Sequence, residues 1–341
     1  MIAPLRLILD REALVGNWRA LARLSGSAAC GAAVKADGYG LGAAGVVQAL
    51  AAAGCCDFFV ATWAEAQALA PLGISVSVLH GVRAEDMTVA LTLPGARPVL
   101  NSVEQVMRWR AAAGGACDLM VDTGMNRLGL APGEIGVADG LAIDTLMSHL
   151  ASADEDVPNN AAQAAALAGL RGRTSARRLS LANSAGIALG PDYAFDLTRP
   201  GLALYGGVPR ASLAPLIRQV VFPEAQILQR RVLKAGSAIG YNATYVAAAD
   251  MPVAIVNLGY ADGYWRGFSS KGCARSGDAV LPVLGRVSMD LTAIDLSAAP
   301  QLGEGDWVRF DFALAESAAQ SGMSPYELLT GLGNRFDRSW A

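Results

Sequence analysis

Lys35 stands in Ala32-Ala-Val-Lys-Ala-Asp-Gly-Tyr-Gly-Leu-Gly42, a run of small residues that ends in one amine and continues into a glycine-rich turn. An amine held in apolar surroundings loses proton affinity and becomes a nucleophile toward carbonyls, the chemistry of Schiff bases. The plain alternative, a strand-end lysine reaching solvent, fits an arbitrary lysine better. Here Gly38, Gly40 and Gly42 let the backbone pass close to a ligand, and Tyr39 between them offers a hydroxyl suited to a phosphate or a carboxylate.

The elements around this segment repeat. From residue 30 to about residue 205 short apolar runs alternate with alanine-rich stretches of helical periodicity, the pattern of βα units. The runs are Ala32-Val34, Phe58-Val60, Val76-Leu79, Pro98-Leu100, Leu119-Val121, Leu146-Leu150, Leu179-Leu181 and Phe195-Leu197. Helices are expected at Gly45-Ala53, Trp63-Ala70, Ser102-Ala113 and Asn160-Leu170, with Ser102 and Gln105 spaced as a capping box. Eight such units close a TIM-like (β/α)8 barrel, with an open doubly wound sheet as the other arrangement. In a barrel the C-terminal strand ends carry the chemistry, and those positions hold Lys35, Thr62, His80, Asn101, Asp122 with Arg127, His149, Asn183 with Ser184, and Arg199 with Gly201. Any soluble barrel has polar residues there, so the ring alone is weak evidence.

After about residue 215 the texture changes to valine- and isoleucine-rich runs with alternation, at Ala225-Leu233, Val253-Leu258, Ala279-Leu284, Leu291-Leu296 and Trp307-Phe312. We therefore expect a barrel over 1–215 and a C-terminal mostly-β domain over 216–341, ending in a short helix that Ser324 caps.

Bulk properties exclude several functions. The 27 basic and 30 acidic side chains leave a net charge of −3, and without a basic block there is no footprint for nucleic acid. Mean hydropathy is positive, yet charge or glycine interrupts every apolar run well short of the ~20 residues that span a bilayer. No leader pattern follows Met1, so a cytoplasmic protein is expected. Five cysteines without ligand spacing and two histidines argue against a metal site.

Eight segments in order resemble one family, alanine racemase: 33–40 around Lys35, Val121-Asp-Thr-Gly-Met-Asn-Arg-Leu-Gly129, Ser148-His-Leu-Ala-Ser-Ala-Asp154, Ala182-Asn-Ser-Ala185, Arg199-Pro-Gly-Leu-Ala-Leu-Tyr-Gly206, Gly240-Tyr-Asn-Ala-Thr-Tyr245, Gly259-Tyr-Ala-Asp-Gly-Tyr264 and Gly285-Arg-Val-Ser-Met-Asp290. The resemblance implies a pyridoxal 5'-phosphate enzyme that interconverts L- and D-alanine, a homodimer with shared active sites. It implies that Lys35 binds the cofactor covalently, that Tyr39, Ser184 and the amides of Gly201 and Leu202 hold its phosphate, and that Asn183 and His149 belong to the same site. Arg199 would face the pyridine nitrogen, where a guanidinium, unlike a carboxylate, leaves the ring a weak electron sink. Lys35 and the partner subunit's Tyr241 would be the two bases, on opposite faces of Cα. A free tyrosine titrates near pKa ~10, so it needs help from neighbours such as Arg127 and His149. Arg127 and the backbone of the partner subunit's Met289 would bind the substrate carboxylate.

Two departures from the family pattern stand out. Met120 replaces a lysine that many relatives carbamylate to steady the arginine, and Asn334 stands where some relatives place a tyrosine, which suggests that serine is accepted too. A non-catalytic cofactor-binding barrel would lack the β domain that holds Tyr241 and Met289. A barrel decarboxylase for basic amino acids would carry a cysteine where this chain has Ser288. A metal-dependent barrel hydrolase is the remaining alternative, and the shortage of histidine weighs against it.

Overall fold

The computed structural model describes residues 3–341; Met1 and Ile2, part of the N-terminus read above for a leader, lie outside them. The described residues divide into two compact units, one of residues 12–38 and 43–218, the other of residues 3–11, 39–42 and 219–341.

In the first unit the strands Ala32–Ala33, Phe58–Val60, Val76–Val78, Ala96–Leu100, Cys117–Met120, Ile143–Met147, Arg178–Ser180 and Leu197–Thr198 pair in chain order, each parallel to the next. Leu197–Thr198 then pairs with Ala29–Cys30, which only Gly31 separates from Ala32–Ala33. The order returns to its first strand, so the sheet closes as an α/β barrel of the TIM type, and the open doubly wound sheet is excluded. Gly31 must be glycine there, because a Cβ would stand 2.7 Å from the carbonyl of Asp57.

Each strand run read from the sequence is present within three residues or so, because short parallel strands buried on both faces are continuous apolar runs. The capping box is half realised. Ser102 Oγ accepts from Gln105 N, but Gln105 Oε1 reaches past Ser102 to the amide of Asn101.

The second unit is a mostly antiparallel sheet in the order Met251–Val256, Thr292–Asp295, Ala279–Leu284, Cys273–Ser276, Trp307–Phe310, Val221–Leu233, Leu5–Leu9, Asp337–Trp340. The 13-residue strand Val221–Leu233 also pairs with Met251–Val256, so the first six strands close on themselves. Leu5–Leu9 and Asp337–Trp340 extend the sheet beyond them. Leu5, Leu7 and Leu9 are buried while Arg6 and Ile8 are less so, a period of two that marks a half-buried strand. Ser324 and Glu327 form a complete capping box on the helix Pro325–Thr330. Among the described residues no helix is long and apolar enough to cross a membrane, and no cluster of three or more His, Cys, Asp or Glu could hold a metal ion.

Candidate active site

Within the barrel unit Lys35, Thr62, His80, Asn101, Asp122, His149, Asn183, Arg199 and Gly201 of the expected ring lie within three positions of the C-terminal end of a strand, while Ser184 lies four and Arg127 seven positions past theirs. Lys35 is the first of them. Burial lowers its proton affinity, the charge of Arg127 lowers it further, and Glu65 opposes both. The chain then turns left-handed, with φ of 53° at Ala36, 52° at Asp37, 63° at Gly38, 55° at Tyr39 and 84° at Gly40. Each non-glycine residue held there costs about 1–2 kcal/mol, so the surroundings must over-determine the turn. Gly38 N donates to Val34 O at 2.8 Å, Ala43 N to Asp37 Oδ1 at 2.8 Å, and Ala36 N to Glu65 Oε1 at 2.7 Å. Glycine is needed at 38, since a Cβ would stand 3.1 Å from Ala43 N.

Arg199 is buried and fixed. Its Nη2 donates to Ser148 O at 2.6 Å and its Nη1 to Ser180 Oγ, whose own hydroxyl donates to Leu197 O. Burial pulls its pKa down to about 10 while the buried Asp118 carboxylate pushes back, so the guanidinium keeps its proton at neutral pH. His149 is driven the same way and farther. Burial first, then Arg199, Arg127 and Lys35, lower it to about 3, which makes the imidazole neutral.

That neutrality has a pH consequence. The unfolded chain binds a proton at His149 near its ordinary value of 6.5, whereas the folded chain does not until about 3. In that window only the unfolded state is protonated, so stability falls as pH drops below about 6.5, by at most ~1.4 kcal/mol per unit from this group. Thermal unfolding between pH 7 and 5 should show a shallower decline in His149→Asn; equal slopes would remove His149 as the cause.

Arg127 sits on a loop whose backbone is pre-formed. Burial raises the Asp122 carboxyl, but the amides of Gly124, Asn126, Met125 and Arg127 outweigh it and hold Asp122 ionised below its ordinary value. The Arg127 side chain itself is exposed, with no hydrogen bond or ion pair to its guanidinium among the described residues. The side chain of the neighbouring Asn126 makes no hydrogen bond to it either. Met120 is buried beneath this loop, its Cγ 3.2 Å from where a Cβ on Gly129 would stand.

Asn183 uses its side chain as a helix N-cap, accepting from Gly186 N at 2.9 Å. Ser184 is buried, and its Oγ accepts from Gly201 N at 3.0 Å and Ala203 N at 3.1 Å. Both lone pairs are thus occupied and the hydroxyl proton is what remains to offer, which makes Ser184 a donor poised for an anion. The Gly201 amide is committed to Ser184, whereas Leu202 N has no acceptor among the described residues.

The other candidates belong to the second unit. Tyr39 is buried, its ring centroid 6.4 Å from that of Tyr326, and burial pushes its hydroxyl pKa up, so it stays a proton donor. Arg338 Nη2 donates to Gly40 O at 2.7 Å just beyond it. Tyr241 opens a tight turn, with Asn242 at φ 62° and Ala243 at φ 50°, between the strands Ala238–Ile239 and Tyr245–Val246, and is 64% exposed; Met289 is 54% exposed. The Met289 carbonyl accepts from Ala261 N at 3.0 Å, and a Cβ on Gly259 would overlap it. Asn334 is exposed beside Arg335, whose guanidinium bridges Asp262 Oδ1 at 2.6 Å and Asp290 Oδ1 at 2.7 Å.

Several contributors escape a reading by residue type. Ser148 acts through its carbonyl and Ser180 through an ordinary hydroxyl, neither of which has a sequence signature. Glu65 has one, since Thr62-x-x-Glu65 is a capping-box spacing, and both halves of that box are present.

The residues present suit a phosphorylated aldehyde cofactor: an amine of lowered proton affinity, a buried guanidinium, a neutral imidazole and a hydroxyl left only its proton to give. Fold and site together define the class, a (β/α)8-barrel enzyme with a lysine amine at the catalytic end of the barrel. Residues 9–209 match the family model for the N-terminal domain of alanine racemase and residues 220–340 that for its C-terminal domain. The chain belongs to the alanine racemase family. It is 42% identical to the alanine racemase of Acidiphilium cryptum, covering 97% of both chains, and 40% identical to a catabolic alanine racemase of Agrobacterium fabrum, covering 98% of this chain and 91% of that one. It is also similar to the crystal structure of the Bartonella henselae alanine racemase with covalently bound pyridoxal phosphate, at a TM-score of 0.88 and 33% identity over 99% of both chains. The biosynthetic alanine racemase of Pseudomonas aeruginosa superposes with a TM-score of 0.87 at 31% identity over the whole of both chains.

Proposed function

We propose that this protein is a pyridoxal-phosphate enzyme that interconverts L- and D-alanine with two bases, Lys35 and Tyr241, the latter from the partner of a homodimer. The observation that carries the reading is the placement of Lys35, half-buried two positions past the first barrel strand at the catalytic end, where burial and the charge of Arg127 lower its proton affinity. The cofactor, once bound, supplies an electron-withdrawing ring that acidifies the substrate Cα–H. The remaining work falls to the chain. Lys35, its ammonium disfavoured by burial, takes or returns the proton on one face of Cα, and Tyr241 does so on the other. Arg127 receives the substrate carboxylate, flanked by the backbone of the partner subunit's Met289. Arg199, a permanent hydrogen-bond donor, would face the ring nitrogen and keep the ring a weak electron sink. Ser184, Tyr39 and the Leu202 amide would hold the phosphate, with Asn183 and Gly201 shaping the loops around it and neutral His149 among the cations of the site. The high exposure of Tyr241 and Met289 within one chain supports completion of the site by a second copy.

Incubation with L-alanine in deuterated water, following Cα deuteration and D-alanine together, tests the reading. Exchange that accompanies inversion is expected, and exchange without D-alanine would mean that one base works alone. Serine as a second substrate rests on the exposed Asn334, where a small amide leaves room and a hydrogen-bonding partner for a hydroxymethyl group. Asn334→Tyr should lower the serine-to-alanine ratio of kcat/KM by at least about tenfold; an unchanged ratio would refute this role.

A further inference from the structure

We propose that Glu65 is a positioning residue for Lys35, one carboxylate that ties the lysine's loop to the neighbouring strand-helix junction; the inference rests on Lys35 being the cofactor lysine. Glu65 lies in the first turn of the helix Trp63–Leu69, which follows the second barrel strand. Its Oε2 accepts from Ala61 N at 2.6 Å and Thr62 N at 3.1 Å, the duty of a capping box. Its Oε1 does something a cap does not require. It accepts from Ala36 N at 2.7 Å, the amide directly after Lys35, from 29 positions away.

The Lys35–Ala36 peptide is where the chain leaves an extended strand for the left-handed turn, with Ala36 at φ 53° and ψ 49°. An alanine does not hold that conformation by itself, so the orientation of this peptide plane depends on what its N–H meets. A charged acceptor at 2.7 Å is a strong restraint. Loss of that restraint would free the strained backbone on which the Lys35 side chain is mounted. The same carboxylate favours the ammonium form of Lys35 against burial and Arg127, so it links position and charge of the amine.

The test separates this grip from ordinary helix capping. Attachment of pyridoxal 5'-phosphate, in which the Lys35 amine condenses with the aldehyde and one water leaves, is followed by visible absorption after the cofactor is added to apoprotein. Glu65→Gln should slow attachment at least about tenfold, the lost position of the amine outweighing the larger unprotonated share that removal of the carboxylate charge leaves. Thr62→Ala, which removes the cap hydroxyl of the same helix but leaves Ala36 held, should stay within about twofold of wild type. A wild-type rate in Glu65→Gln, or equal slowing in both variants, would overturn the proposal. If Glu65→Gln does not fold, Glu65→Asp, one methylene too short to span both loops, gives the same comparison. Lys35→Ala is the control for the underlying assignment: should it still develop the absorption, that assignment fails, whatever Glu65 does.

Discussion

Lys35→Ala is expected to bind pyridoxal 5'-phosphate without developing the absorption of a lysine-bound cofactor, and to lose alanine racemisation by at least about four orders of magnitude. Two losses combine in this variant, the covalent anchor and one of the two proton-transfer groups, and a positioned acid-base group alone contributes about 10²–10⁴-fold. Burial works in the amine's favour, since it lowers the proton affinity of Lys35 and so raises the share of the unprotonated form that can attack a carbonyl. The fold should survive, because the left-handed turn behind Lys35 is held by backbone and carboxylate contacts, not by its side chain. Absorption spectra before and after borohydride treatment, with melting curves for the fold, check the result. Retention of a reducible, protein-bound chromophore would show that another amine carries the cofactor.

Tyr241→Phe should keep the cofactor and its absorption yet lose about 10²–10⁴-fold in conversion of L-alanine. The hydroxyl is the one group removed, and the ring is largely exposed, so little packing changes. The family resemblance gives the Cα proton of L-alanine to Tyr241 and that of D-alanine to Lys35, so exchange of the D-alanine proton should persist; equal and complete loss of exchange from both enantiomers would refute the two-base assignment. A mixture of the two inactive variants tests the shared site. In a heterodimer of Lys35→Ala and Tyr241→Phe chains one site has both intact residues and the other has neither. Random reassortment should therefore restore about a quarter of wild-type activity. No recovery after verified subunit exchange would place Tyr241 and Lys35 of each site on one chain.

The ring of polar residues after the strands was legible because a parallel barrel strand is a short apolar run, so the first polar residue past it marks the catalytic end. Less legible were the strands Leu5–Leu9 and Asp337–Trp340. Their partners in the sheet lie more than 200 residues away in sequence, and a local pattern carries no information about such pairing. Arg127 shows both sides in one loop. Asp122 and the glycines around it announce a turn, and the turn is there, held by backbone amides on a carboxylate. What steadies the guanidinium in place of the lysine that Met120 replaces is absent from that loop, because the chain alone leaves the Arg127 side chain exposed.

The sequence by itself determined which groups are available: an amine after a small-residue strand, a guanidinium that never yields its proton, one hydroxyl in an Asn-Ser pair, and eight βα units to carry them. Their types and their order along the chain are local properties, and local patterns fix them. Tertiary structure decided what state those groups are in. Burial among Arg199, Arg127 and Lys35 made His149 neutral, two amides from a loop 17 and 19 residues on left Ser184 only its proton to give, and Glu65 took hold of the peptide after Lys35. Proton affinity and hydrogen-bond capacity depend on which charges and dipoles lie within a few ångströms, and folding alone sets those neighbours.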